Sequence, residues 1–371
     1  MRAGYDEVVL LTGYPSFVAR AMLVECVRQP KTLVHAVVRA KFAAEARALL
    51  DELPHEQRSR VNLLEGDAAS IDLGLSGQEF HEIVREVDRI HHCAQVTYPG
   101  VDRTTAEHLN VGGAREILEL ATECKDLQCL VFHSTAHVSG DRTGVVTEDE
   151  LKRGQSFRNV VEETKARAEK LMRAAMPRVP IAVVRPSIII GDSRTGEVDR
   201  FDGPYLLVLL IVTSPPDFAL PLLGTGDAPL NLVPIDFVAR AAWTIGRDPR
   251  AVGKTFHLVD PAPLSMRRVF EVVARAGGRR MPRGSIPANL AKALLRTPGL
   301  ERFAKSPRAF LDTLVTSVSY DARNAEQILA GAGVACPPFE SYADKIVEYV
   351  QLRVRERRAK KAALEIDDPL V

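Results

Sequence analysis

From residue 7 to about 190, two patterns of apolar positions alternate. Short runs rich in β-branched residues occur at 8–11, 33–39, 62–65, 89–92, 129–134 and 181–184. Longer stretches with helical periodicity lie between them, for example 42–53 and 113–124. Short continuous apolar runs suit strands buried on both faces. Their alternation with helices predicts parallel strands joined by right-handed crossovers. The expected fold class is therefore α/β, a Rossmann-type doubly wound parallel sheet.

Beyond Gly191 the regularity fades. Prolines gather at Pro215, Pro216, Pro221, Pro229 and Pro234, with helix-like stretches at 235–246 and 266–276. This predicts a smaller mixed α/β substrate region over 191–340, partly folded back on the sheet's C-terminal edge, where such sheets bind ligands. Ile346, Val350 and Val354 recur at helical spacing and predict one helix from 342 to about 364. The expected organisation is 1–190 for the dinucleotide-binding domain, 191–340 for the substrate region, and 341–371 for a helix and charged tail. The basic end of that helix, Arg353 to Lys361, suits the C-terminal dipole and reads as a solvated helix end. The apolar run 205–212 is too short to span a bilayer. It reads as core, or as the lining of a pocket for a long acyl or other apolar group.

Composition changes this picture little. With 46% apolar residues, 26% charged residues and a net charge of +1 over 371 residues, the chain is ordinary for a globular protein and unsuited to nucleic acid. Its five cysteines form no CxxC pair and no zinc spacing, which implies reduced thiols and no metal. No basic-then-apolar leader opens the sequence, so a cytoplasmic location is expected. The oligomeric state stays open.

Candidate chemistry begins at the first strand–turn–helix. In a dinucleotide fold the turn's glycines allow a tight bend, close phosphate approach and helix packing. Here Gly13 holds the first position, and Ser16 and Ala19 hold the next two. Thr12, Gly13, Ser16 and Phe17 thus form the candidate phosphate turn. Ser16 adds a side chain where phosphate approaches, as a donor or as an obstruction. The second strand ends at Arg39, with Lys41 two residues on. Basic residues there suit a 2′-phosphate, so NADP(H) is favoured over NAD(H).

Read together, the motifs resemble the extended short-chain dehydrogenases/reductases, and within them the fatty-acyl-CoA reductase and thioester-reductase branch. Thr12-Gly13 is similar to the family's opening turn, Gly66-Asp67 to its adenine-side Gly-Asp, and His92-Cys93-Ala94 to its His-x-Ala. Asn110-Val111-Gly112 resembles its Asn-Val-x-Gly. Ser134 to Gly140 is similar to the strand-end segment bearing the active-site Ser/Thr. Arg185-Pro186-Ser187, Gly191 to Gly196 and Val233 to Val238 resemble later signatures. The resemblance implies a nicotinamide cofactor contacted by Asp67, Ala94, Asn110, Lys165 and Pro186. It also implies a small apolar carbonyl substrate, such as an acyl-CoA or acyl-carrier thioester.

The family's chemistry uses a Tyr that protonates the carbonyl, a Lys four residues later that holds the nicotinamide ribose, and a Ser/Thr that binds the substrate oxygen. By register, Lys165 falls on the Lys position and Thr135 on the Ser/Thr position, while Val161 occupies the Tyr position. Valine donates no proton. His137, two residues after Thr135, is a candidate replacement if it titrates near neutrality. A competing view makes Lys165 a surface residue paired with Glu162 or Glu169. Three functional readings follow: an atypical NADP(H)-dependent reductase, a cofactor-binding but catalytically silent scaffold or redox-sensing regulator, and an epimerase or dehydratase.

Overall fold

A computed structural model describes residues 4–98, 100–198, 204–214, 222–223, 225–281, 283–286 and 316–367. By contacts the chain forms two compact units, 1–187 with 236–259 and 318–335, and 188–235 with 260–317 and 336–371.

The first unit is built on a seven-stranded parallel sheet. Its strands are β1 (Glu7–Tyr14), β2 (Thr32–Val38), β3 (Val61–Glu65), β4 (Arg89–His92), β5 (Cys129–His133), β6 (Ile181–Pro186) and β7 (Thr255–Leu258). Their spatial order is β7-β6-β5-β4-β1-β2-β3. The expected doubly wound sheet is therefore present, with its reversal between β1 and β4. Helices α1 (Phe17–Val27), α2 (Ala43–Asp51), α3 (Gly77–Glu86), α4 (Gly113–Glu123) and α5 (Val160–Ala175) connect the strands. One face buries Val8, Leu10, Ile90, Leu130, Phe132 and Val183 of the strands with Ile83, Ile117, Leu120 and Met172 of α3, α4 and α5. Two-sided burial explains why these strands read as unbroken apolar runs.

The seventh strand lies outside the sequence expectation. Thr255 to Leu258 form a run of four residues, paired with Val183 to Pro186 more than seventy positions earlier. The segment 318–335 also returns to this unit, where Val318–Tyr320 pairs with Gly144–Val146. The contiguous division at 190 and 340 is thus replaced by two interleaved units, because the chain crosses between them repeatedly.

The second unit has its own core. Helices Pro204–Thr213, Met266–Ala276 and Ala343–Asp367 contribute Val208, Ile211, Val269, Phe270, Ile346 and Val350 to it. The last helix is therefore an integral part of this unit and not a separate tail. Of the apolar run 205–212, the described side chains Val208, Leu209, Ile211 and Val212 are core, not pocket lining. The Gly191-to-Gly196 segment is a turn packed on that last helix. A Cβ on Gly196 would collide with the Lys345 backbone, and Asp192 accepts the Arg194 and Thr195 amides. Arg353, Arg355 and Arg357 are exposed, while the side chains of Arg358, Lys360 and Lys361 lie outside the described set. So do Pro215, Pro216 and Pro221. Among the described residues, no helix is long and apolar enough to cross a membrane, and no cluster of metal-binding side chains occurs. The five cysteines are free, four of them buried.

The sheet centre holds an unusual set of buried imidazoles. His91 stacks on Trp243 and its Nδ1 lies 3.3 Å from His133 Nε2, while His92 stacks on Phe132. Burial pulls His91 and His92 down to about 3 and also lowers His133. Neutral in the fold, these rings titrate near 6.5 once unfolded. Their contribution is complete above pH 6.5 and is lost as pH falls towards 3, by up to about 1.4 kcal/mol per pH unit per ring. Urea denaturation at pH 4.5 should accordingly give a lower midpoint than at pH 7.5, and His91→Gln should flatten the difference. Equal midpoints at the two pH values would contradict buried neutral rings.

Candidate functional site

The C-terminal ends of the strands gather the candidate residues on one edge. β1 ends in a turn at Gly13, whose φ of +88° is in the left-handed region. A Cβ there would sit 2.7 Å from the Ala94 nitrogen, so only glycine lets β1 and the segment after β4 approach this closely. Thr12 fixes the same junction from inside. Its Oγ1 is 3.0 Å from His92 Nδ1 and accepts the Ala94 amide at 3.3 Å. The Thr12 hydroxyl is thus committed to the fold rather than free for a ligand.

Ser16 is exposed at the N-cap of α1, and its hydroxyl makes no capping bond. The helix's first amides therefore lack a side-chain acceptor, which is the condition for binding an anion there. Phe17, partly buried, opens the helix, with the Arg20 guanidinium over its ring. At the ends of β2 and β3, Arg39 Nε meets Asp67 Oδ2 at 3.0 Å, so these two candidates form an ion pair. Asp67 Oδ1 also accepts the Ala69 amide. Lys41 is exposed, its Nζ 4.9 Å from the Phe42 ring centroid.

Asn110 is fully buried and works as a clamp. It accepts the Val96 amide at 2.8 Å and donates to the Thr164 hydroxyl at 2.9 Å. It thereby ties the segment after β4 to the helix carrying Lys165. It holds the site's walls, with both of its donor hydrogens spent on the Val96 carbonyl and the Thr164 hydroxyl.

In α5, Val161 and Lys165 are one turn apart, 6% and 5% exposed. The surface pairing considered for Lys165 does not occur. Glu162 binds Arg158, and Glu169 binds Arg185. Among the described residues the Lys165 ammonium has no hydrogen-bond or ion-pair partner. Desolvation pulls it down to about 8, against the nearby Cys93 and Glu169.

After β5, Thr135 caps a short 3₁₀ turn. Its Oγ1 accepts the His137 amide at 3.3 Å and donates to the Pro186 carbonyl at 3.4 Å. Both bonds are long, leaving the hydroxyl weakly engaged. His137 does not titrate near neutrality. Desolvation, with the Arg158 and Lys165 charges, pulls it down to about 4. It is a neutral imidazole at pH 7, and the expectation of an acid there fails.

Three participants escaped the sequence reading. Arg185 and Glu169 form a buried pair, Nη2 to Oε1 at 2.5 Å, and Ser134 Oγ donates to Glu169 Oε2 at 2.6 Å. Arg185 also donates to the Glu150 carbonyl and lies 3.2 Å from His257 Nε2. Arg185 and Glu169 were visible only as pieces of motifs. A residue pair sixteen positions apart on a strand and a helix gives no local signal.

These residues fit a dinucleotide: an uncapped helix start beside a glycine turn, a basic residue at the end of β2, and an unpaired ammonium. The sequence matches the family described as male sterility protein over residues 11–242. The chain belongs to that NAD-binding family. It is 24% identical over 313 residues to "Fatty acyl-CoA reductase wat" of Drosophila melanogaster, covering 72% of this chain and 60% of the fly protein. It is 29% identical over 293 residues to "Glycine betaine reductase ATRR" of Emericella nidulans, covering 73% of this chain and 22% of that one. The chain thus spans less than two thirds of the length of each of these relatives. Among solved structures, the terminal R domain of the myxalamid PKS-NRPS biosynthetic pathway superposes with a TM-score of 0.80 at 25% identity, covering 94% and 91% of the two chains. The R domain of a non-ribosomal peptide synthetase from Mycobacterium tuberculosis shares the fold, with a TM-score of 0.70 at 22% identity and 94% and 92% coverage. The family member is thus an extended short-chain dehydrogenase/reductase of the thioester-reductase branch.

Gly13→Ala tests the turn. With backbone as the obstacle, the variant should lose about 2 kcal/mol or more of stability and most nicotinamide-cofactor binding. Thermal melts and fluorescence titration measure both, and normal values for the two would show that β1 and Ala94 are not packed as described.

Proposed function

We propose that this chain is an NADP(H)-dependent reductase of an acyl thioester or related apolar carbonyl, working without the family's tyrosine. The observation that carries the reading is Lys165, a buried ammonium with no counter-ion among the described residues. An unpaired buried charge is costly and persists where a ligand or reaction uses it. Gly13 and the start of α1 would hold the pyrophosphate, Arg39 with Lys41 the 2′-phosphate, and Lys165 the nicotinamide ribose. Bound there, the cofactor supplies hydride-reducing equivalents. The fly relative, a fatty acyl-CoA reductase, supports the substrate class.

Protonation of the carbonyl oxygen needs a group other than Val161. His137, neutral at pH 7, is a poor acid. Lys165, pulled down to about 8, lies nearest the operating pH and is the better donor, with Thr135 binding the oxygen. The silent-scaffold reading rests on Val161, buried and apolar where the family places its acid. Binding without turnover would favour it. An epimerase or dehydratase has equal need of the missing tyrosine.

NADPH oxidation over a panel of acyl-CoAs and long-chain aldehydes, run beside direct cofactor titration, tests the reading. Lys165→Met should abolish turnover, and wild-type rate should fall as pH rises through about 8, where Lys165 loses its proton. Val161→Tyr should raise carbonyl reduction by up to about 10²–10⁴-fold. A Val161→Tyr protein that folds and binds NADPH yet reduces no carbonyl would point to the scaffold.

The cofactor choice has its own check. Arg39→Ala should lower the preference for NADPH over NADH about tenfold, the value of one charge-assisted bond to phosphate. Asp67→Asn frees the guanidinium from its carboxylate and should raise that preference. Isothermal titration with both cofactors reads the ratio, and an unchanged ratio in Arg39→Ala would remove Arg39 from the phosphate site.

A further inference from the structure

The segment after β4 is pinned on both sides of one residue. Ala94 donates its amide to the buried Thr12 hydroxyl, and Val96 exchanges two bonds with the Asn110 carboxamide. Gln95 lies between them. Both polar atoms of its side chain, Oε1 and Nε2, are buried and have no hydrogen-bond partner. It is the one carboxamide in that condition among the described residues. His91 and His92 each leave one ring nitrogen unpaired but pair the other, with His133 and with Thr12. A carboxamide loses two donors and an acceptor to water and recovers nothing, a cost of about 1–3 kcal/mol for each group left unmade. The backbone on either side is held, so the side chain cannot relieve this by shifting the chain. The residue also directly follows Cys93 and Ala94, which pack against Gly13, and Cys93 lies near Lys165.

We infer that Gln95 recognises a bound molecule, its carboxamide pairing with an amide group of the ligand as donor and acceptor together. The inference rests on the reductase reading. Two ligands of that reading present an amide: the carboxamide of the nicotinamide ring and the pantetheine arm of a coenzyme A thioester. Neither a phosphate nor a hydrocarbon chain satisfies both atoms of Gln95, because a phosphate accepts only and a hydrocarbon does neither.

The test compares wild type, Gln95→Leu and Gln95→Glu. Leucine keeps the volume without polar atoms, and glutamate keeps acceptors without the amide donor. Melting of the ligand-free proteins comes first. Gln95→Leu should melt no lower than wild type, since it removes an unsatisfied group. Direct titrations then use NADPH, and octanoyl-CoA with S-ethyl octanethioate as the amide-free control in the presence of NADP⁺. If the nicotinamide is the partner, both variants should bind NADPH about 5- to 30-fold more weakly. If pantetheine is the partner, NADPH binding should hold while octanoyl-CoA weakens by a similar factor and the ethyl thioester does not. Wild-type protein that binds NADPH, with neither ligand weakened in Gln95→Leu, overturns the role of Gln95 and leaves the reductase reading standing. A variant that melts well below wild type with unchanged ligand affinities overturns it also and makes Gln95 a packing residue. Wild-type protein that binds neither NADPH nor octanoyl-CoA overturns the reductase reading and this inference with it.

Discussion

Arg185 and Glu169 face one another inside the first unit with almost no access to water. Removing one partner from such a pair strands a charge, at a cost of about 3–5 kcal/mol, so each fixes the other. Their surroundings make the pair a junction. Glu169 belongs to the helix of Lys165 and takes the hydroxyl of Ser134, the residue before Thr135. Arg185 sits near the end of β6, directly before Pro186, whose carbonyl accepts from Thr135. The distance between the site's ammonium and its hydroxyl is therefore set by a salt bridge that touches neither. The same arginine lies on His257 of β7, and His257 Nδ1 lies 2.7 Å from the Asp321 carbonyl. Glu148 completes the arrangement by accepting the His257, Asn324 and Ala325 amides. The late segment 318–335 is joined to the sheet through these polar contacts.

Around this junction the interior keeps its charges few. His91, His92 and His133 are held neutral by burial, and Glu162 is matched by Arg158. Lys165 stands apart, its ammonium unmatched among the described residues and its affinity for a proton lowered towards the working pH. A field from a single charge in a poorly polarisable surrounding acts strongly on whatever binds beside it. On the proposed reading, this is how the site would act on a carbonyl with Val161 at the family's tyrosine position.

The comparisons and the geometry bear on different parts of this account. Family membership rests on 11–242, which runs from within β1 through β6 and into the helix Ile235–Arg247. It speaks for the platform. The pairing of Arg39 with Asp67, the neutrality of His137 and the orphaned amide of Gln95 are properties of these particular side chains, and they are what distinguish one member's chemistry from another's.

Periodicity by itself determined the doubly wound sheet, since parallel strands buried on both faces must be written as short apolar runs between amphipathic helices. The family resemblance assigned Val161, Lys165 and Thr135 their positions, and helical spacing adds that Val161 and Lys165 share a face. The seventh strand was hidden because Thr255 to Leu258 lies beyond the regular strand–helix alternation and owes its form to β6. The interleaving of the two units was hidden for the same reason, as each return of the chain is fixed by distant partners. Thr12 and Asn110 carried a motif's signature, yet only the tertiary structure showed their polar atoms spent on His92, Ala94, Val96 and Thr164. His137 is only a conditional candidate by sequence, because a sequence prints an imidazole and not its solvent. Its protonation, like the pairing of Arg185 with Glu169, depends on which groups the fold brings near and how much water it removes, and both are sums over the whole interior rather than properties of neighbouring letters.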